Sequence, residues 1–154
     1  MGLDMYLYKG RNYSTELAYW RKANAIHNYF VNEVGNGDDN CKPIRVTCAD
    51  LEELLSRCER VLKALSESKY TVGSEECLIV NEKTGKFELG TVEYRCYDCK
   101  LAKELLPPIE GFFFGSYDIN SYYEECLIYT RDICKQLISE TNWDKEKIYY
   151  QASW

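Results

Sequence analysis

The sequence lacks an apolar run long enough to cross a bilayer, since its longest runs fall far short of the roughly 18 residues that a membrane helix needs. Its opening residues, MGLDMYLYKG, carry an acid at Asp4 and lack the basic stretch that begins a signal peptide. Clusters of lysine and arginine are also missing, and 25 acidic against 19 basic residues give a formal net charge of −6. These absences predict a cytoplasmic protein that enters no membrane and binds no nucleic acid directly.

Metal-binding and catalytic motifs are equally scarce. The chain has one histidine, His27, and one CxxC pair, Cys96 and Cys99, without the second pair or the further histidines that a zinc site usually adds. It has no glycine-rich phosphate loop, no GxSxG and no HExxH. The sequence therefore predicts no cofactor, no metal and no catalytic residue that a motif identifies.

What the sequence does contain is typical of one folded domain. Its 154 residues are 45% hydrophobic and 29% charged, which suits a single domain over 1–154 with one core. Tyrosine is the unusual component, with 14 residues against 5 Phe and 3 Trp. Because tyrosine combines an apolar ring with a polar tip, it suits interfaces and partly wet pockets, although most of these tyrosines are expected to line ordinary helix surfaces.

The residue pattern predicts an α+β fold of three to four helices packed on a small antiparallel sheet. Residues 3–9 alternate and end at Gly10, which indicates a strand, and the closing KIYYQASW has strand character and is expected to pair with it. ECLIVNEKTGKFELGTV predicts an additional hairpin near 76–90, with Gly85 in the left-handed conformation.

Four segments are predicted to be helical. Thr47 and Asp50 form a capping-box pattern before a regular apolar stripe, which is the clearest helix signal in the chain. The other three helices are predicted over about 16–34, 92–106 and 118–140. Ser14 or Thr15 would cap the first of these and Gly35 would end it.

The helix predicted over 16–34 contains the only histidine. At 100° per residue its core face would be a stripe of five residues: Tyr19, Ala23, Ile26, Phe30 and Val34. Trp20, Asn24 and His27 lie beside that stripe rather than on the solvated side. We call these three residues the polar seam. Either their polar groups find partners inside the protein, or they line a ligand-binding cavity, where the neighbouring Arg21 would suit an anion.

The segment GFFFGSYD is a second candidate for the wall of a site. It can be a buried, extended segment that leads into the last helix, with Ser116 and Asp118 as caps. Alternatively, the amides at the start of that helix could face a phosphate or carboxylate. We expect the segment, the polar seam and the closing aromatic residues to meet, which makes the predicted ligand-binding residues Trp20, Arg21, Asn24, His27, Phe113, Ser116, Tyr150 and Trp154.

Several stretches together resemble a family of small uncharacterised proteins of bacteriophages and prophages. They span most of the chain and read MGLDMYLYKG, YWRKANAIHNYFV followed by DDNC, LLPPIEGFFFGS and YYQASW. Some members carry the label phosphoglycerate kinase, an activity that needs two large domains and that 154 residues without a nucleotide loop do not supply. The resemblance implies a site of action in the cytoplasm of an infected bacterial host, and it implies no catalytic residue.

Three functions remain open at this point. The first is a non-enzymatic binder that holds a host bacterial protein or sequesters a small anionic, nucleotide-like metabolite, for example in counter-defence. The second is a small hydrolase or transferase that uses His27 with a nearby cysteine or acid. The third is a structural or assembly protein without a ligand.

Overall fold

A computed structural model describes residues 2–10 and 15–154 of the chain. The elements in these residues are, in order, β1 (Asp4–Lys9), β2 (Thr15–Arg21), α1 (Asn24–Tyr29), β3 (Ile44–Val46), α2 (Cys48–Glu67), β4 (Lys69–Val80), β5 (Phe87–Asp98), α3 (Lys100–Leu105), α4 (Ser121–Glu140) and β6 (Ile148–Ser153). The predicted α+β class is confirmed.

The main sheet has four antiparallel strands in the order β2–β1–β6–β3. As predicted, β1 pairs with β6, and the pairing sets Met5 opposite Ala152 and Leu7 opposite Tyr150. All four of these side chains are buried, because alternate residues of a strand face the same side of a sheet. This face of the sheet carries the core against which the helices pack.

The helix predicted over 16–34 is wrong in its first half. Residues Thr15–Arg21 form β2, which pairs with β1 and buries Ala18 and Trp20 at a spacing of two. Tyr19, predicted to lie in the core, points the other way and is 39% exposed. The alternative cap Ser14 lies outside the described residues. The strand wins because β1 otherwise has an unpaired edge, whose hydrogen bonds only a neighbouring strand can complete.

The second half of the predicted helix exists but is short. Lys22 takes a left-handed backbone conformation (φ 54°) that ends β2, and α1 then begins at Asn24. It continues as a π-helical turn over Phe30–Val34, which ends before Gly35 as predicted. Ile26 and Phe30 are fully buried, so the core face predicted for this half is confirmed.

Helix α2 follows its sequence signals closely. The Thr47 side chain accepts a hydrogen bond from the backbone amide of Asp50, and the Asp50 carboxylate accepts one in return from the Thr47 amide. The helix packs lengthwise on α4. Its innermost side chains are Leu51, Leu54, Cys58, Val61 and Leu65.

The predicted hairpin is confirmed but is much longer than its sequence signal. Strands β4 and β5 have 12 residues each and pair along their whole length as a separate two-stranded sheet, which we call the ribbon. Gly85 in the turn has a φ of 68°, as expected. The helix predicted over 92–106 is therefore wrong up to Asp98, and only α3 is helical. It ends before Pro107, because the residue preceding a proline is disfavoured in the helical conformation.

The segment between α3 and α4 also differs from its prediction. Phe112 is 84% exposed and Phe113 is 46% exposed, so of the three phenylalanines only Phe114 is buried. The cap of α4 is Asn120, whose side-chain oxygen accepts from the amide of Tyr123 at 3.0 Å, rather than Ser116 or Asp118. The aromatic triplet is thus a surface loop and not a core strand.

Candidate functional site

The structure brings His27 to the centre of a chain of polar contacts. Its Nδ1 lies 2.6 Å from the Tyr150 hydroxyl, and its Nε2 lies 3.0 Å from a carboxylate oxygen of Asp39. A carboxylate can only accept, so a neutral imidazole satisfies both contacts with its proton on Nε2 and with the phenol donating to Nδ1. Burial, followed by the charge of Asp39, raises the pKa of Tyr150 well above its usual range and keeps that donor protonated.

The other two members of the polar seam are also saturated from within. The indole Nε1 of Trp20 donates to the Thr130 hydroxyl at 2.9 Å. The Asn24 amide donates to the carbonyl oxygens of Phe114 and Ser116 at 3.1 and 2.9 Å. Trp20, Asn24 and His27 are 3%, 5% and 1% exposed, and no buried side-chain nitrogen or oxygen in the described part of the chain lacks a partner. The structure therefore agrees with the first interpretation of the polar seam, in which its polar groups find hydrogen-bond partners inside the protein.

Among the described residues, the hollow that Asn24 of the polar seam lines is too small for a ligand. The hollow beside Asn24, between α1 and α4, holds about 20 Å³. That is room for one water molecule, whereas pockets for small-molecule ligands usually measure about 300–1,000 Å³. Beside Asn24, the side chains of the described residues therefore fill most of the space where a ligand was expected.

The remaining predicted site residues are divided between this buried region and the surface. Tyr150 is buried and Trp154 is 53% exposed, with its indole donating to Asp39 at 3.0 Å and its ring edge-on to Phe114. Arg21 forms an ion pair with Asp4 at 3.1 Å. Phe113 and Ser116 lie at the surface. The segments thus meet as expected, while the ligand-binding role of these residues stays a prediction.

The geometry around His27 does not form a nucleophile–base pair with a cysteine. Its ring nitrogens contact a phenol and a carboxylate. Burial raises the pKa of Cys126 to about 11 and of Cys134 to about 12, and it raises the pKa of Cys58 well above the usual range. A catalytic cysteine needs the opposite shift, because the thiolate is the nucleophile.

The ribbon presents the largest set of apolar side chains to solvent. Leu78 pairs with Leu89 and Val80 pairs with Phe87, so all four side chains share one face. Their exposed fractions are 67%, 78%, 54% and 72% in that order. We call these four residues the tip patch. Sequence analysis missed the patch, although Leu78, Val80, Phe87 and Leu89 are apolar residues on a predicted hairpin with no element assigned to cover them.

At the other end of the same face, the ribbon and α4 enclose a wide hollow of about 420 Å³. Its lining residues, which define the basal hollow, are Tyr70, Val72, Glu93, Tyr94, Arg95, Tyr97, Ser121, Glu124, Glu125 and Ile128. The Arg95 guanidinium lies 4.3 Å from the centre of the Tyr70 ring, a cation–π contact. Burial and then a hydrogen bond with Glu124 raise the pKa of Tyr97, whereas Arg95 acts in the opposite direction.

Neither a protein-family model, nor a curated protein, nor a solved structure matches this chain. Among residues 2–10 and 15–154, no helix is long and apolar enough to cross a membrane. The same residues contain no group of three or more His, Cys, Asp or Glu arranged to hold a metal ion.

Proposed function

We propose that this protein is a non-enzymatic binding module that holds a host bacterial protein through the tip patch of the ribbon. One observation carries the proposal: four apolar side chains on one face of a projecting two-stranded sheet are more than half exposed. Leucine, valine and phenylalanine each gain about 1.5–3 kcal/mol when they move from water into an apolar environment. Burial of the patch by a partner would therefore contribute a large favourable free energy to binding.

The architecture of the ribbon also favours an external partner. An isolated two-stranded hairpin is only marginally stable in water, and its free strand edges invite further pairing. The formal net charge of −6 opposes close approach of a second copy of the same chain. A different protein is therefore a better match for the patch than self-association.

The resemblance to small bacteriophage proteins supports a bacterial host protein as the partner and the cytoplasm of the infected cell as the place. Occlusion of a host defence protein would be one such role. Sequestration of a small anionic metabolite has less support, because the cation predicted to attract it, Arg21, is paired with Asp4. The hydrolase or transferase alternative has less support because His27 is sealed.

The test is co-expression of the tagged protein in bacteria, followed by quantitative mass spectrometry of what co-purifies. We expect a specific host protein with the wild type and at least a tenfold loss of it in the double variant Phe87→Ser with Leu89→Ser. Phe112→Ser is the matched control, since Phe112 is 84% exposed but lies in the surface loop between α3 and α4, outside the ribbon. The proposal fails if the double variant retains the partner, if the control loses it, or if nothing is enriched over the double variant.

A further inference from the structure

The basal hollow is a broad concavity that is open to solvent between the ribbon and α4. Its volume of about 420 Å³ falls in the range of ligand pockets, about 300–1,000 Å³, and it is far larger than the 20 Å³ hollow beside the polar seam. Ribbon residues that include Tyr70 and Tyr97 form one wall, and α4 contributes Glu124, Glu125 and Ile128 to the opposite wall. Nothing in the fold described above uses this space.

The charge of the hollow is predominantly negative. Three carboxylates line it, those of Glu93, Glu124 and Glu125, against the single cation Arg95. Within the described residues, no ion pair joins any of these three carboxylates to a basic side chain. The hollow therefore attracts a cation and repels the anionic metabolite considered above.

The hollow already contains an example of how it can hold a cation. The guanidinium of Arg95 lies 4.3 Å from the centre of the Tyr70 ring. Tyrosine faces and carboxylates can offset the free-energy cost of removing an arginine or lysine side chain from water. They do so through cation–π contacts and charge-assisted hydrogen bonds. A second tyrosine, Tyr97, lines the same face of the hollow.

The hollow and the tip patch belong to one face of the ribbon. The pairs Val72–Arg95 and Tyr70–Tyr97 lie an even number of residues from the pair Leu78–Leu89 along each strand. Their side chains therefore project to the same face of the ribbon. Glu93 lies six residues along β5 from Phe87, which corresponds to about 20 Å. A single partner segment that reaches about 20 Å would contact both features.

We propose that the basal hollow is a cation-binding subsite that receives an arginine or lysine side chain of the same partner protein that covers the tip patch. This inference rests on the proposed function. It specifies the partner as a basic one, with an apolar group for the tip patch and a positive charge about 20 Å away along its surface. Charge complementarity selects this partner over a second copy of the chain, whose own charge is −6.

The test uses a defined probe, N-acetyl-arginine-N-methylamide, in an NMR titration of the isotope-labelled full chain. We expect saturable shifts confined to the residues of the hollow, with a Kd on the order of a few millimolar, as weak exposed contacts provide. The citrulline analogue, which has nearly the same shape without the charge, should bind at least fivefold more weakly, because it loses the ionic term. Equal binding of the two probes, or no binding of either, overturns the proposal.

Three variants locate the site. Glu93→Gln with Glu124→Gln should weaken arginine binding about fivefold, whereas Arg95→Gln should strengthen it about threefold by freeing the Tyr70 ring and removing a like charge. Glu75→Gln with Glu88→Gln is the matched control, because these carboxylates lie on the opposite face of the ribbon, and it should leave the Kd unchanged. An unchanged Kd in the first pair, or a weakened one in the control pair, contradicts the assignment.

Two further measurements separate this inference from the proposed function. Phe87→Ser with Leu89→Ser should abolish partner capture and leave binding of the arginine probe intact. If capture persists in that variant while the arginine probe binds, the tip patch proposal fails and the cation subsite stands. If spermidine binds the hollow more than tenfold more tightly than the arginine probe, the occupant is a free polyamine and the inference of a basic protein partner is overturned.

Discussion

Around His27, polar side chains lie inside the protein, whereas at the tip of the ribbon apolar side chains lie outside it. The polar seam is tightly closed because each of its nitrogens has a partner within the chain. The tip patch is open because the ribbon is only two strands wide and none of the other described elements covers it. The comparison teaches that polar side chains in a core need not mark a binding site. An uncovered apolar surface is the stronger indication of an interaction site.

The largest effect should follow from removal of the central member of the seam. His27→Ala deletes both ring contacts and leaves the Tyr150 hydroxyl and the Asp39 carboxylate without their partner. We expect the free energy of unfolding to fall by about 3 kcal/mol, measured by urea denaturation at pH 7. Unchanged stability would mean that the seam does not hold the core together, and the comparison with the ribbon would fail.

A matched tyrosine pair serves as the control for that result. Tyr150→Phe removes only the hydroxyl that contacts His27 and should cost about 1–2 kcal/mol. Tyr149 is its neighbour in β6, and its hydroxyl has no hydrogen-bond partner among the described residues. Tyr149→Phe should therefore change the stability by less than about 0.5 kcal/mol.

Buried thiols predict a loss of stability at alkaline pH. Burial raises the pKa of Cys134 from 9.0 to about 12, so above pH 9 the unfolded chain ionises this thiol while the folded protein does not. The stabilisation is complete below pH 9 and is lost as the pH rises towards 12. This group should contribute a fall of about 2.7 kcal/mol by pH 11.

The measurement is urea unfolding at several pH values between 8 and 11, for the wild type and for Cys134→Ala. The free energy of unfolding of the variant should fall less steeply with pH than that of the wild type. The two slopes should differ by about 1.4 kcal/mol per pH unit in the range where the thiol of the unfolded wild type is ionised. Parallel curves for the two proteins would contradict the assignment.

A smaller effect is expected from the indole of the seam. Trp20→Phe keeps an aromatic ring but removes the donor to Thr130, at a cost of about 1–2 kcal/mol. Trp154 also donates a hydrogen bond through its indole, yet it is 53% exposed. Trp154→Phe should cost about 0.5 kcal/mol in the same urea assay, because water can replace the lost partner. Equal costs would show that burial does not distinguish the two indoles.

The smallest effect on stability is expected at the ribbon. Phe87→Ser with Leu89→Ser should change the free energy of unfolding by less than about 0.5 kcal/mol, because both side chains are already in water. A loss above about 1.5 kcal/mol would show that the tip patch packs within the protein. The contrast between a sealed seam and an open ribbon would then disappear.

The parts of the fold that sequence predicts are those decided by neighbouring residues. The capping box of Thr47 and Asp50 and the left-handed Gly85 are local, and both are found as expected. The strand over residues 3–9 was predicted from alternation and the closing strand from its strand character, and their expected pairing is confirmed. For the capping box and Gly85, the chemistry that selects the structure lies within a few residues, whereas the pairing of β1 with β6 joins segments far apart in the sequence.

The segment around Trp20 shows where such reasoning fails. Tyr19, Ala23 and Ile26 fit a helical period, while Ala18 and Trp20 fit the period of a strand. Pairing with β1 decides between them, and β1 lies elsewhere in the sequence. The same holds for residues 92–98, which are a strand because β4 lies beside them.

The candidate site was predictable only in part. Sequence indicated that His27, Asn24 and the aromatic residues of the last strand would meet, and it kept open whether their polar groups would be satisfied. It predicted a hairpin near 76–90 but not its length or its bare face, because the exposure of Leu89 depends on what other elements cover. The basal hollow also lacks a local signal, since its two walls come from segments separated along the chain.

By itself, the sequence determined the composition, the acidic charge, the α+β class and the positions of the strongest local signals, because these depend on residue types and short spacings. The tertiary structure decided which strands pair, that the His27 seam is sealed, and that the ribbon is left uncovered. These outcomes depend on long-range contacts, in which a side chain is buried or exposed according to elements distant in sequence.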